Sequence, residues 1–200
     1  MVVTEGERVT LGELAEITPG PSGSLLDKLG DEPDGVPVVT PSDITDQHHV
    51  DTRKLRRLPY NEVARLDRFT LRQGDIVLVR QGSLGRLALI EPQLEGWLYN
   101  SSCARVRSLG HLVLPEYLCL YLSSSAVQEE MLRRALPGTV QSLNAKILGN
   151  LPVVLPPLDR QRELVEIIAD IDELALVHRE TADRLDILKL ALLDDFLDEE

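Results

Sequence analysis

The C-terminal part of the chain contains no residue that breaks a helix. From Asp159 onwards neither Gly nor Pro occurs, and these are the two residues that helix interiors tolerate least. At about 1.5 Å per residue, an unbroken helix here approaches about 60 Å in length. Pro156 and Pro157 stand just before it, where the composition changes abruptly. We therefore predict a domain over residues 1–157 and one long helix over residues 158–200.

Side chains that recur with alternating spacings of four and three residues form a stripe along this predicted helix, which is typical of a coiled-coil seam. The stripe consists of Ile167, Ile171, Leu174, His178, Thr181, Leu185, Leu188 and Leu192. Acidic residues occupy the other faces, so the seam needs a partner helix. His178 and Thr181 interrupt it near its middle, where they either fix the register or pairing direction or leave a gap open to solvent.

The preceding 157 residues combine strand patterns with helix patterns. Apolar and β-branched runs predict strands at 36–40, 75–80, 86–90 and 103–107, the second and third forming a hairpin. Helical spacing predicts helices at 9–17, 115–122 and 126–135, with Thr10 and Glu13 as a capping box for the first. A polar loop over 136–144, a short helix and a final strand follow. The predicted fold class is a mixed α+β domain with a twisted β-sheet, followed by a long helix that forms an antiparallel coiled coil.

The net charge of −12 argues against nucleic-acid binding, because DNA is bound chiefly through Lys and Arg. The charge is unevenly distributed, however. Residues 51–157 hold fourteen Lys and Arg against nine Asp and Glu, a net charge of +5, whereas residues 1–50 and 158–200 carry −8 and −9. This pattern suits a protein that contacts DNA with one face and keeps other faces for protein partners.

The sequence lacks the features that are typical of several functional classes. There is no apolar run of about 20 residues for a membrane span and no secretory signal pattern, so we expect a cytoplasmic protein. Cys103 and Cys119 have apolar neighbours and are expected to be buried thiols. His48 and His49 could form a metal pair only if remote ligands joined them, and adjacent side chains usually point apart, so no metal site is predicted. The segments typical of amino-methyltransferases, nucleases and serine hydrolases are missing. We expect a binding protein, although an irregular active site built from remote residues remains an alternative.

Four segments occur in an order and spacing that resemble type I restriction-modification specificity subunits. They are Val9–Leu14, Gly74–Arg80 with Gly82 and Gly85 after it, Gly138–Leu143, and Leu151–Gln161 with its Leu-Pro-Pro-Leu-x-x-Gln motif. Members of that family usually carry two recognition domains joined by two long helices in an antiparallel pair. This chain has one domain and one helix, so it resembles a half-length specificity subunit.

The resemblance implies a noncatalytic DNA reader that acts with other subunits. Two chains would pair their helices antiparallel, and the homodimer would recognise a bipartite site on double-stranded DNA. A modification (methyltransferase) subunit would dock on the helices and adjoining surfaces and bring S-adenosylmethionine, and a restriction subunit can join the complex. No cofactor is expected in this chain itself.

Three groups of side chains are candidates for DNA contact. The loop residues Thr139, Gln141, Ser142 and Asn144 offer neutral donors and acceptors for base edges or phosphates, or they cap their own loop. The basic cluster Arg53, Lys54, Arg56 and Arg57 suits phosphates, or forms ion pairs on the surface. The strand arginines Arg80, Arg86, Arg105 and Arg107 face a groove of DNA, or shield a sheet edge.

A competing hypothesis uses the same acidic ends. An interaction module related to specificity subunits would bind other proteins through its acidic helix and N-terminal face, and would not bind DNA. The two segments with net charges of −8 and −9 support this alternative.

Overall fold

The computed structural model describes residues 7–21, 29–30 and 34–198. The chain divides into two compact units, residues 1–161 and residues 162–200. In the described residues the strands are β1 (Glu7–Thr10), β2 (Ala15–Pro19), β3 (Val36–Val39), β4 (Arg57–Leu58), β5 (Ile76–Val79), β6 (Leu87–Leu89), β7 (Leu98–Tyr99), β8 (Cys103–Ser108) and β9 (Pro152–Leu155). The α-helices are α1 (Leu11–Leu14), α2 (Tyr60–Val63), α3 (Pro115–Ser123), α4 (Ser125–Arg134), α5 (Ala145–Gly149) and α6 (Leu158–Asp198). The mixed α+β class and the long C-terminal helix are thus confirmed.

The start of the first unit differs from the sequence prediction. We expected one helix over residues 9–17, but only the single turn α1 is helical, and strands flank it on both sides. β1 pairs with β9 and β2 pairs with β8, both antiparallel. These pairings use backbone groups that a longer helix would have bonded internally. The predicted capping residues do interact, since the backbone N–H and hydroxyl of Thr10 both donate to Glu13 Oε2 at 2.7 Å.

The strands form three sheets within the described residues, where we expected one. The largest has the order β2-β8-β5-β6, and all its pairings are antiparallel. A second sheet has the order β4-β3-β7, in which β3 and β7 run parallel, and the third joins β1 and β9. The β5–β6 hairpin was predicted correctly, whereas the pairing of distant strands was not derivable from local patterns.

The core of the first unit packs around β5. Val77 and Val79 belong to a buried cluster with residues from all three strands of the second sheet, including Val38, Val39, Leu58, Leu98 and Tyr99. Ile76 and Leu78, which alternate with them, are also buried. Burial of both faces explains why β5 reads as a continuous apolar run and not as alternating apolar and polar residues.

The first turn of α6 is tied to the loop before α3 by one buried side chain. Gln161 is fully buried, and its Oε1 accepts a hydrogen bond from the Leu114 N–H at 2.8 Å. Its Nε2 donates to the carbonyls of Leu112 at 2.9 Å and Pro156 at 2.8 Å. The Gln of the Leu-Pro-Pro-Leu-x-x-Gln motif therefore satisfies three backbone groups at once.

Replacing Gln161 with Ala should lower the free energy of unfolding of the first unit by about 1–3 kcal/mol, because it leaves buried backbone groups without partners. Urea unfolding followed by the fluorescence of Trp97, the only tryptophan of the chain, measures this change. The control is Gln141→Ala, the same substitution at an exposed position. Equal stability of the two variants would contradict the role given to Gln161.

Candidate nucleic-acid interface

Arg107 forms a buried ion pair next to the start of β5. Its Nε and Nη2 donate to the Asp75 carboxylate at 2.6 and 2.7 Å, and the side chain of Asp75 is 1% exposed. The hydrogen bond to Asp75 raises the pKa of Arg107. Asp75 also accepts the backbone N–H of Arg72 at 2.8 Å. Gly74, with φ +82°, supplies the turn before it.

Arg105 is more deeply enclosed. Its side chain is 4% exposed, and Nη1 donates to the carbonyls of Arg68 at 2.9 Å and Thr70 at 3.2 Å. Nη2 donates to Thr18 Oγ1 at 3.2 Å and Glu16 Oε1 at 3.3 Å. β8 lies between β2 and β5, so neither Arg105 nor Arg107 shields a sheet edge. Their contacts favour a structural role for both.

Arg86 holds a neighbouring turn in place. Its guanidinium donates to the carbonyls of Ile44 and, at 3.5 Å, Pro41, and it contacts Asp46 Oδ1 at 3.3 Å. The same turn contains His48 at φ +64°, whose carbonyl accepts the Leu89 N–H at 3.1 Å. Arg86 therefore joins this turn to the start of β6.

The basic cluster before β4 is divided between internal contacts and solvent. Arg56 donates to the Leu29 carbonyl at 2.6 Å, and Arg57 to the Gly35 carbonyl at 3.2 Å. Arg53 is 85% exposed and holds the Asp51 carboxylate through two nitrogens, which lowers the pKa of Asp51 to about 2. Lys54 is exposed. Arg53 and Lys54 are thus both exposed, whereas Arg56 and Arg57 each use a donor on a backbone carbonyl.

Three loops meet where β5 ends. The Ser102 carbonyl accepts the N–H groups of Arg80 at 2.8 Å and Gln81 at 3.2 Å. The Arg80 carbonyl accepts the N–H of Leu143 at 2.8 Å, and Gln81 forms a β-bridge with Ser142. These backbone bonds bring together a set of polar side chains that we call the polar rim: Arg80, Gln81, Ser102, Gln141 and Ser142.

The 136–144 loop presents its tip to solvent. Leu136 and Ser142 exchange backbone hydrogen bonds of 2.8 and 3.3 Å, which closes the loop. Thr139 and Gln141 in the tip are exposed. Asn144 lies beyond the closure, and its Oδ1 accepts the Ile147 N–H at 2.8 Å, so it caps α5. Of the four loop residues that the sequence indicated, Asn144 has a structural task, while Thr139 and Gln141 point away from the core.

Sequence reasoning missed Gln81 and Ser102 as members of the polar rim. Gln81 lies between the two strands of the predicted hairpin, and Ser102 belongs to no motif. Gln81 could have been identified from its position directly after Arg80, because it is among the first polar residues after a strand that is buried on both faces. Ser102 could be identified only from the structure, because the pairing of β5 with β8 brings it next to Arg80 and Gln81.

Among the described residues, no group of three or more His, Cys, Asp or Glu side chains is placed to hold a metal ion. Cys103 and Cys119 are both buried, which confirms the prediction of buried thiols. Burial raises the pKa of each thiol to about 12. His49 Nδ1 lies 2.9 Å from Glu91 Oε1, and His48 Nδ1 lies 3.3 Å from the Leu87 carbonyl. The adjacent histidines therefore turn toward different partners.

The second unit carries the predicted seam as an exposed stripe. Its six apolar residues are between 48% and 61% exposed: Ile167, Ile171, Leu174, Leu185, Leu188 and Leu192. His178 and Thr181 are exposed as well, and the Thr181 hydroxyl donates to the Val177 carbonyl at 2.8 Å. A coiled coil stays a prediction at this point.

In the part of the chain described, no helix combines the length and apolar character that crossing a bilayer requires.

The type I restriction modification DNA specificity domain family matches residues 4–185, and the chain belongs to this family. Among relatives, the chain is 26% identical over 132 residues to the type I restriction enzyme EcoBI specificity subunit of Escherichia coli, covering 66% of this chain and 27% of the relative. It is 26% identical over 167 residues to the putative type I restriction enzyme MjaX specificity subunit of Methanocaldococcus jannaschii, covering 81% and 39%. The chain thus spans well under half the length of these relatives.

Solved structures share the fold. A chain from a structure of a type I R-M system superimposes with a TM-score of 0.67 at 22% identity, over 92% of this chain and 42% of that one. The HsdS subunit from Thermoanaerobacter tengcongensis gives a TM-score of 0.60 at 18% identity, over 88% and 40%. The fold expected from the resemblance is therefore confirmed.

Replacing Asp75 with Ala should lower the free energy of unfolding by about 3–5 kcal/mol, because it leaves the partly buried guanidinium of Arg107 without its counter-charge. Asp51→Ala removes the exposed pair with Arg53, which solvent screens, and should lower the free energy of unfolding far less. Urea titrations followed by Trp97 fluorescence compare the two variants. A loss at Asp75 no greater than at Asp51 would show that the buried pair does not organise the sheet.

Proposed function

We propose that this chain is the DNA-recognition subunit of a type I restriction-modification system and acts as a homodimer. The observation that carries the proposal is that the family match, over residues 4–185, covers the domain and most of the helix with its exposed apolar seam. Each domain reads one half of a DNA site, and the helix pairs with that of a second copy. Two identical readers related by a twofold axis recognise a bipartite site with related halves.

Base reading is assigned to the tip of the 136–144 loop together with the polar rim. Thr139 and Gln141 are exposed, and Gln141 has the amide that pairs with both the N6 and N7 positions of adenine. Gln81 offers a second amide next to it, held by the bridge to Ser142. Asn144 is assigned to capping α5 because its oxygen already accepts a backbone N–H.

Phosphate contact is assigned to Arg53 and Lys54, with Arg80 at the rim. The exposure of Arg53 and Lys54, and the net charge of +5 over residues 51–157, support this assignment. Arg56 and Arg57 spend at least one donor each on backbone carbonyls and contribute through their remaining donors. Arg86, Arg105 and Arg107 are assigned to the scaffold that holds the loops.

The chemistry belongs to partner subunits in this proposal. A DNA methyltransferase (modification) subunit binds the homodimer and brings S-adenosylmethionine, and a restriction subunit joins the complex where cleavage occurs. The chain itself supplies recognition and holds no catalytic centre. The two acidic segments provide surfaces for protein partners, and these surfaces are separate from the basic part of the chain that contacts DNA.

The second candidate is an interaction module without DNA binding. It is favoured by the net charges of −8 and −9 at the two ends of the chain. A tagged chain isolated from its native cell, with bound proteins identified by mass spectrometry and bound DNA sequenced from the same sample, separates the two. A methyltransferase together with an enriched bipartite motif supports the recognition subunit, whereas protein partners without a motif support the interaction module.

Gln141→Ala should weaken binding to the enriched motif by about 1–3 kcal/mol, since one paired base contact is lost. Binding to unrelated DNA of equal length should change little. Lys54→Ala is the comparison, because loss of a phosphate contact weakens both DNAs alike and lowers the salt dependence. Fluorescence anisotropy titrations measure both. Equal losses on the two DNAs for Gln141→Ala would count against base reading by this loop.

Leu185→Asp together with Leu188→Asp should convert the dimer into a monomer of about 22.3 kDa, because two apolar seam positions then bury charges. Light scattering coupled to size exclusion measures the mass. The matched control is Ile187→Asp with Leu190→Asp, which are equally exposed but lie outside the seam and should leave the dimer intact. An unchanged mass in the Leu185 and Leu188 variant would remove the seam from the interface.

A further inference from the structure

The seam of the second unit is symmetric about its own centre. Counted outward from the midpoint between Arg179 and Glu180, its residues fall into four equidistant pairs: His178 with Thr181, Leu174 with Leu185, Ile171 with Leu188, and Ile167 with Leu192. The central pair is polar and the three outer pairs are apolar. All of these side chains are exposed in the single chain.

We propose that a second copy of this chain covers the seam in one antiparallel register, with the twofold axis at the midpoint between Arg179 and Glu180. This inference rests on the homodimer of the proposed function and specifies its interface. Each apolar seam residue then meets an apolar residue of the partner, and His178 meets the partner's Thr181 on both sides of the axis. A slip of one heptad would put His178 against the partner's Leu188 and Thr181 against the partner's Leu185, which leaves polar groups facing apolar ones.

The hydrogen bond at Thr181 suits this central layer. Its hydroxyl already donates to the Val177 carbonyl, so its oxygen is left to accept from another group. An imidazole N–H of the partner's His178 is a donor of the right kind in either tautomer and in the protonated form. The polar pair therefore satisfies itself only when the two helices meet at this register.

Residues beside the seam favour antiparallel over parallel pairing. In the proposed register Ala175 faces the partner's Ala182 and Val177 faces the partner's Arg184, so no like charges meet at these positions. Parallel helices in register would instead bring Arg184 beside the partner's Lys189, twice per dimer. They would also place His178 against its own copy. The like charges raise the free energy of the parallel arrangement.

Disulfide trapping in the full-length chain tests the register. Two differently tagged chains are co-expressed, one carrying Ile167→Cys and the other Leu192→Cys, and then oxidised under native conditions. The proposed register predicts an efficient cross-link between the two. Ile167→Cys expressed alone should give none, because the two copies of that position lie about 38 Å apart along the axis. The unsubstituted chain is the background control, since Cys103 and Cys119 are buried with a raised pKa.

Four results would overturn the proposal, and the first three are distinct from failure of the proposed function. A cross-link of Ile167→Cys with itself would show parallel pairing. A cross-link stronger for Leu174→Cys with Leu192→Cys than for Ile167→Cys with Leu192→Cys would show a register shifted by one heptad. No cross-link in any pair, with a dimer mass by light scattering, would place the interface outside the seam, whereas a monomer mass for the unsubstituted chain would remove the proposed homodimer itself.

Discussion

The ion pair between Asp75 and Arg107 is the interaction on which the first unit depends. It links the residue before β5 to β8, the strand that lies between β2 and β5 in the largest sheet. A carboxylate that is 1% exposed requires a counter-charge, so this pair fixes which strand lies beside β5. The pairing of β5 with β8 in turn sets Ser102 against Arg80 and Gln81. A buried ion pair thereby determines the position of an exposed polar surface.

Local sequence patterns were sufficient for elements whose neighbours in the chain are also their neighbours in space. The β5–β6 hairpin, the helices α3 and α4, and the long helix α6 all follow from apolar spacing and from the positions of Gly and Pro. The helix predicted for the N-terminal segment was wrong for the opposite reason. Its residues obey helical spacing, but β1 and β2 pair with β9 and β8, far along the chain, and tertiary pairing outweighs a weak local preference.

The same distinction separates the candidate site residues. Exposed candidates such as Arg53 and Gln141 were identifiable because each lies in a segment rich in polar residues. Arg105 and Arg107 were also identified as candidates, since alternation puts both on one face of β8, but alternation does not say whether that face is buried. The partners that bury them, Asp75 and the carbonyl of Thr70, come from another part of the chain. Gln81 and Ser102 are the converse case, because only strand pairing brings them to the polar rim.

The symmetry of the seam bears on what the helix pairs with. A helix that pairs with a different helix has no physical reason to place its polar residues at the centre of its own seam, since the partner's sequence can compensate for any position. A helix that pairs antiparallel with a copy of itself has no such freedom, because every seam residue is met by the seam residue at its mirror position. His178 and Thr181 lie at the positions where that constraint requires matching groups. The arrangement of polar residues along the seam therefore supports self-pairing more strongly than its apolar content alone does. Apolar seam residues would pack equally well against the apolar face of a helix with a different sequence.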